Sequence, residues 1–155
     1  YGTVDELTAI IALFADRLAQ RCPAAAEQII PDIKRINSTL MDIEALFALG
    51  SNGSDKVAPL AVEKIEWLES RIDALQSELK PLTCFTIPGG CEMTSHCHVC
   101  RTVCRRSERA ALRAAEEYPV DSGATRYLNR LSDYLYTLGR VLTERLKVTE
   151  TLWIP

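Results

Sequence analysis

Residues 91 to 104 read CEMTSHCHVCRTVC, placing four of the chain's six cysteines and both of its histidines in fourteen positions. Thiolate and imidazole are the ligands zinc prefers, and Cys97 and Cys100 form a C-x-x-C pair with Cys91, His96, His98 and Cys104 close by in sequence. Zinc frameworks, however, set a second ligand pair about a dozen residues or more away across a loop. Outside this cluster the chain offers only Cys22 and Cys84. A second kind of chemistry begins where the cysteines end. Between residues 101 and 109 stand four arginines, Arg101, Arg105, Arg106 and Arg109, with Glu108 among them. The planar arginine fork gives bidentate bonds to phosphate oxygens and stays charged at any accessible pH. Two readings fit such a cluster: a polyanion site, or a solvated helix face with internal ion pairs.

The element that carries these residues separates the two chemistries. The spacing predicts a long helix from about Glu92 to about Tyr118, stopped by Pro119. At roughly 100° per residue, Cys97, Cys100 and Cys104 fall at i, i+3 and i+7, with Ala111 and Ala115 continuing the stripe. That is a core stripe of small residues, on which free cysteine acts as a small buried hydrophobe. His96 and His98 point away from it, and a rigid helix cannot wrap four ligands around one ion. No metal ligand is therefore assigned, and a Cys-based metal-binding or redox-sensing bundle stands as an alternative. Arg101, Arg105 and Glu108 form the neighbouring stripe at i, i+4 and i+7, with Arg106 and Arg109 on adjacent faces.

Four further helices are expected. Thr3-Val4-Asp5-Glu6 has the form of a capping box, and Leu7, Ile10, Ile11, Phe14 and Leu18 repeat at helical spacing until Cys22-Pro23. Ile29, Ile33, Ile36, Leu40, Ile43 and Phe47 make a second series ending at Gly50, with Pro31 kinking it or marking its start. Ser51-Asn52-Gly53-Ser54 is a loop by composition. Val62, Ile65, Leu68, Ile72, Leu75 and Leu79 form a third series that ends before Pro81. The stretch LTCFTIPGG, residues 82 to 90, reads as an extended connection and turn. A last helix runs from about Ser122 into the 140s on Leu128, Leu131, Leu135 and Leu138. With no convincing strand, this is an all-α, five-helix bundle forming a single domain over 1–155.

Composition bounds the function classes. A net charge of −3 and a pI near 5.5 exclude a general nucleic-acid binder, so any basic patch must be local. No apolar run approaches the ~20 residues of a membrane span, and no signal segment opens the chain. The chain has 47% hydrophobic residues, too much core for a small disulfide scaffold, which points to a reducing, cytoplasmic setting. It begins with Tyr1, which leads us to expect further residues upstream.

Four segments together resemble one family. YGTVDEL (1–7), FTIPGG (85–90), HVCRTVCRRSER (98–109) and RYLNRLSDYLY (126–136) closely resemble the trimeric ATP:cob(I)alamin adenosyltransferases of the propanediol-utilisation type, in order and over nearly the whole chain. The resemblance implies a five-helix bundle assembling as a homotrimer, with active sites at subunit interfaces. It also implies transfer of the 5′-deoxyadenosyl group of ATP to the cobalt of cobalamin, with magnesium accompanying the triphosphate. By matching position it implies that Arg105, Arg106, Glu108, Arg109 and Asn129 bind ATP. Asp5 and Arg101 would form a salt bridge between subunits beside the corrinoid. Phe85 would occupy the lower face of the corrin and displace its axial ligand, and Asp133 and Tyr136 would line the corrinoid pocket. A reductase and a B12-dependent enzyme are the implied partners; an inactive adenosylcobalamin-binding scaffold is a further alternative.

The sequence departs from the family in two ways. The family's Thr-Lys-Thr-Gly-Asp-type phosphate segment is expected upstream of Tyr1. Cys91 stands where Ser is common, and Cys97 and Cys100 where small or aliphatic residues are, while Cys104 fits the pattern.

Overall fold

The computed structural model describes residues 1–49 and 57–155, so the loop expected at Ser51 to Ser54 lies outside the described residues. Five helices carry the chain: α1 (Gly2–Arg21), α2 (Pro23–Ala48), α3 (Val62–Gln76), α4 (Glu92–Ala114) and α5 (Ser122–Arg145). The fold is the expected all-α bundle. Two short strands, β1 (Thr86–Ile87) and β2 (Thr151–Leu152), pair antiparallel with Thr86 opposite Leu152 and Ile87 opposite Thr151. The extended reading of residues 82 to 90 holds, but the ribbon it forms was not foreseen. Two residues are too few to show a period of two, and the partner strand lies some 65 positions away in sequence.

The capping box does not form. α1 starts at Gly2, and the Tyr1 carbonyl accepts from the amides of Val4 (2.8 Å) and Asp5 (3.1 Å). Thr3 therefore lies inside the first turn. Its carbonyl accepts from Ser107 Oγ (2.7 Å), while Glu6 pairs with Arg106. Tertiary partners on α4 have taken both halves of the local motif. Pro31 does not start α2 either. The helix begins at Pro23, where a missing amide costs nothing, and runs through Pro31 on its exposed side. α3 stops at Gln76 rather than Leu79, and α4 at Ala114 rather than Tyr118. Asp121 caps α5 by accepting from the Ala124 amide at 2.7 Å.

α4 packs between α1 and α5; α1 also packs on α2, and α3 on α5. Leu7, Ile11, Phe14 and Leu18 of α1 meet Ile29, Ile33, Ile36, Leu40 and Ile43 of α2 and Ile65, Leu68, Ile72 and Leu75 of α3 in one core. α5 supplies the centre with Tyr127, Leu128, Leu131, Tyr134, Leu135 and Leu138. The cysteine stripe is core as projected, Cys97, Cys100 and Cys104 being fully buried, but it ends at Ala111 because Ala115 lies past the helix and is exposed. Val62, at the first position of α3, is half exposed and outside the core.

Leu131 is completely buried at the middle of α5. Leu131→Ala should destabilise the fold by about 2–5 kcal/mol, read as a lowered chemical-denaturation midpoint with an unchanged slope.

Candidate functional site

The α4–α5 seam collects the charged residues. The two helices run antiparallel, as four contacts in register show. Thr94 Oγ1 lies 2.9 Å from Thr143 Oγ1, and His98 meets Tyr136 edge to face at 6.3 Å between ring centroids. Cys104 Sγ donates to the Leu128 carbonyl (3.1 Å), and Asn129 Nδ2 donates to Glu108 Oε1 (2.8 Å). Moving up α4 is therefore moving down α5. Arg101 and Arg105 lie between the His98–Tyr136 and Glu108–Asn129 rungs on one helix, and Asp133 lies between them on the other.

The polar groups form a connected line. Asn129 donates to Glu108 and accepts from Arg130 (2.6 Å), and Arg130 is also paired with Asp133 at 3.0 Å. These bonds fix which way the Asn129 amide points. Arg130 was not singled out from the sequence, although it neighbours Asn129 and stands one turn before Asp133. His98 was also overlooked as a seam residue. Partial burial, and secondarily the Arg101 charge, lower its pKa from the ordinary value. Its Nδ1 is buried with no partner.

The arginines differ in what holds them. Arg106 is turned to α1 and paired with Glu6. Among the described residues, Arg105 and Arg109 are exposed and have no carboxylate partner. Arg101 is half-buried, and its Nε is buried without a hydrogen-bond partner. A self-neutralised solvated face would pair most of its charges locally; among the described residues this one leaves three of four arginines without a carboxylate partner. Asp5 is exposed on α1, and the structure does not bring it to Arg101 within one chain.

Phe85 stands at the other end of the seam. It directly precedes β1, whose Thr86 and Ile87 share a crevice with Thr94, His98, Gly139 and Thr143. Its side chain is 75% exposed, touching the ring of Trp153 edge to face at 6.5 Å. A phenylalanine so placed gains little from folding.

The soft ligands are disposed otherwise. Burial pushes the Cys100 thiol up to about 12, and raises those of Cys97 and Cys104 as well. Such thiols stay protonated, whereas metals bind thiolate. His96 Nδ1 lies 3.0 Å from the Glu92 carbonyl on another face. Among the described residues no three His, Cys, Asp or Glu side chains are placed to hold one ion.

The fold and the seam together define the class: an all-α five-helix bundle with an arginine-rich face on α4 and an exposed aromatic connection near the far end of the same helix pair. The chain belongs to the cobalamin adenosyltransferase family, whose pattern it matches over residues 1–142. It is similar to the human corrinoid adenosyltransferase MMAB, 34% identical over 90% of this chain and 56% of that protein. It is 39% identical to PduO of Salmonella typhimurium over 90% of this chain and 40% of that one. The Bacillus subtilis corrinoid adenosyltransferase is 34% identical over 94% and 73%. The chain thus spans about half the length of the human and Salmonella relatives. Among solved structures, a phenylalanine-to-alanine variant of a PduO-type ATP:corrinoid adenosyltransferase from Lactobacillus reuteri, complexed with cobalamin and ATP, superposes with a TM-score of 0.90 at 24% identity. That match covers 100% of this chain and 84% of the other. An arginine-to-lysine variant from the same source, complexed with ATP, gives 0.87 at 25% identity, covering 99% and 85%.

The thiol arrangement has a pH signature. Because the folded Cys100 titrates above its unfolded value, its stabilising contribution is complete below the unfolded pKa. It is lost as pH rises towards about 12. Cys97, Cys100 and Cys104 should resist thiol reagents at pH 8 while Cys22, Cys84 and Cys91 react, and unfolding midpoints should fall above pH 9 less steeply in Cys100→Ala. Labelling followed by peptide mass analysis, with denaturation across that range, checks both.

Proposed function

We propose that the protein transfers the 5′-deoxyadenosyl group of ATP to the cobalt of cob(I)alamin, giving adenosylcobalamin and triphosphate. The observation that carries this reading is the α4–α5 seam, where Arg101, Arg105 and Arg109 have no carboxylate partner among the described residues and whose far end lies by the exposed Phe85. The cobalt electron pair attacks the ribose C5′ and forms the Co–C bond, while the C5′–O bond breaks and its pair leaves with the triphosphate. No side-chain nucleophile is required. What the chain must do is hold a leaving group of growing negative charge, which fixed cations do best because they need no reorganisation.

Arg105 and Arg109, without a carboxylate partner among the described residues, meet the phosphates. Arg106 adds charge from the edge of the site, where Glu6 holds it. Asn129, oriented by Glu108 and Arg130, presents its amide to the nucleotide. Magnesium would enter with ATP and screen the phosphate charge, and Glu108, beside the arginines, is the carboxylate that would face it. Tyr136, packed on His98, and Asp133, held by Arg130, line the corrinoid side. Phe85 takes the lower face of the corrin and displaces the axial base. The vacated axial orbital then accepts the electron that makes Co(I), delivered by a reductase, and the product passes to a B12-dependent enzyme.

Asp5 and Arg101 complete the site by pairing across subunits of a homotrimer. The unpartnered Arg101 Nε and the exposed Asp5 support that arrangement. Among the described residues no helix is long and apolar enough to cross a membrane, which accords with work in the cytoplasm.

With ATP, magnesium and chemically reduced cobalamin, loss of the Co(I) absorbance should accompany formation of adenosylcobalamin. Corrinoid binding without turnover would instead make it an inactive scaffold. Phe85→Ala should lower kcat with cobalamin by roughly a hundredfold and leave the melting temperature unchanged, since the side chain is mostly exposed; wild-type turnover removes Phe85 from the mechanism. Asp5→Lys and Arg101→Glu should each raise the concentration for half-assembly about tenfold or more, and the double exchange should recover part of it. Sedimentation profiles indifferent to both single changes would exclude the intersubunit pair.

A further inference from the structure

The C-terminal segment beyond α5 is tied to the Phe85 connection at three points. α5 ends in a left-handed turn at Lys147 (φ 55°), closed by the Val148 amide on the Thr143 carbonyl at 2.9 Å. Val148 then packs on Gly90. A β-carbon there would come within 2.8 Å of Val148 Cγ1, and the φ of +94° already favours glycine. Next, Glu150 accepts from Arg140 Nε at 3.1 Å, a pair with both side chains largely buried. Arg140 also donates to the Lys80 carbonyl (3.3 Å), so one guanidinium joins α5, the segment and the start of the connection. Finally β2 pairs with β1, and the Trp153 amide donates to the Phe85 carbonyl at 2.8 Å while the two rings meet edge to face.

These ties lie on both sides of Phe85 and converge on it. Without them Phe85, 75% exposed, would sit on a connection with little to hold its ring. Trp153 supplies both kinds of restraint at once, a backbone bond that sets where Phe85 leaves the chain and a ring edge that sets where its side chain points. The segment also lies past residue 142, where the family match ends.

We propose that Trp153 is a positioning residue that holds Phe85 at the height and angle needed to displace the lower axial ligand of the corrinoid. The inference rests on the adenosyltransferase reading and acts wholly through Phe85. A misplacement of about 1 Å at a reacting centre costs roughly a hundredfold, so loosening one aromatic restraint is a kinetic event before it is a stability event. Loss of Trp153 should matter only where there is a lower ligand to displace.

The test compares Phe85→Ala, Trp153→Ala, Trp153→Phe and the Phe85→Ala/Trp153→Ala double variant in the complete protein, with cobalamin and with a corrinoid that lacks the lower base. Trp153→Ala should reduce kcat with cobalamin roughly tenfold to a hundredfold with the KM for ATP unchanged. It should recover most of its rate on the base-free corrinoid. Trp153→Phe should stay near wild type, and the double variant should be no slower than Phe85→Ala. In a Trp67→Phe background, where Trp153 is the remaining tryptophan, Phe85→Ala should shift its emission to the red. If Phe85→Ala is slow but Trp153→Ala is not, or if Trp153→Ala is equally slow on both corrinoids, the positioning role is overturned while the adenosyltransferase reading stands. If Phe85→Ala itself turns over normally, the role assigned to Phe85 fails and the positioning role with it.

Discussion

The close packing of α4 on α5 is the constraint from which the rest follows. A methyl group at Gly139 would come within 3.3 Å of Cys97 Cβ, so the two helices meet there with a hydrogen atom on one side and a thiol-bearing carbon on the other. Small residues at Cys97, Cys100 and Cys104 permit this approach, and the Cys104 thiol satisfies itself on the Leu128 carbonyl. Only at that separation can Asn129 reach Glu108 in a single hydrogen bond and Tyr136 lie against His98. The cysteines that looked like ligands thus serve the site indirectly, by bringing together the faces on either side of them.

That packing also explains the electrostatics. An acidic chain places four arginines within nine residues, where mutual repulsion disfavours them. Glu6 relieves one, and Glu108 spends its bond on Asn129 rather than on an arginine. Arg101 is left with a buried Nε that has no partner, a placement that costs free energy in the isolated chain. A hydrogen-bond acceptor that reached this group would recover that cost.

The helices were legible because their signals are local. Apolar residues at i, i+3, i+4 and i+7 need only their own segment to be read, and the projection of α4 separated core cysteines from surface arginines correctly. What failed were features decided by distant residues. The capping box at Thr3 and Glu6 lost to Ser107 and Arg106, roughly a hundred positions on. Pro31 reads as a break locally, yet it faces solvent and the helix is held by Ile29, Ile33 and Ile36 on the other side. Arg130 and His98 carry no pattern of their own; they belong to the seam only because antiparallel packing brings them there. The β1–β2 ribbon is the extreme case, being two residues long with its partner at the far end of the chain.

Phe85 turns the same logic round. A large apolar side chain left 75% exposed, next to Ile154 at 83% and Trp153 at 49%, has not been placed there by the hydrophobic effect acting within this chain. The backbone around it is nevertheless costly to build: two consecutive glycines at positive φ, a left-handed lysine and a largely buried ion pair between Arg140 and Glu150 all serve to hold a connection that buries little. Ordering without burial is unfavourable unless a ligand completes the burial. A broad, flat and partly apolar surface would cover Phe85 and its neighbours together. The arginines towards one end of the seam and the uncovered rings towards the other are thus two surfaces of different chemistry, one charged and one apolar, held on a single pair of helices.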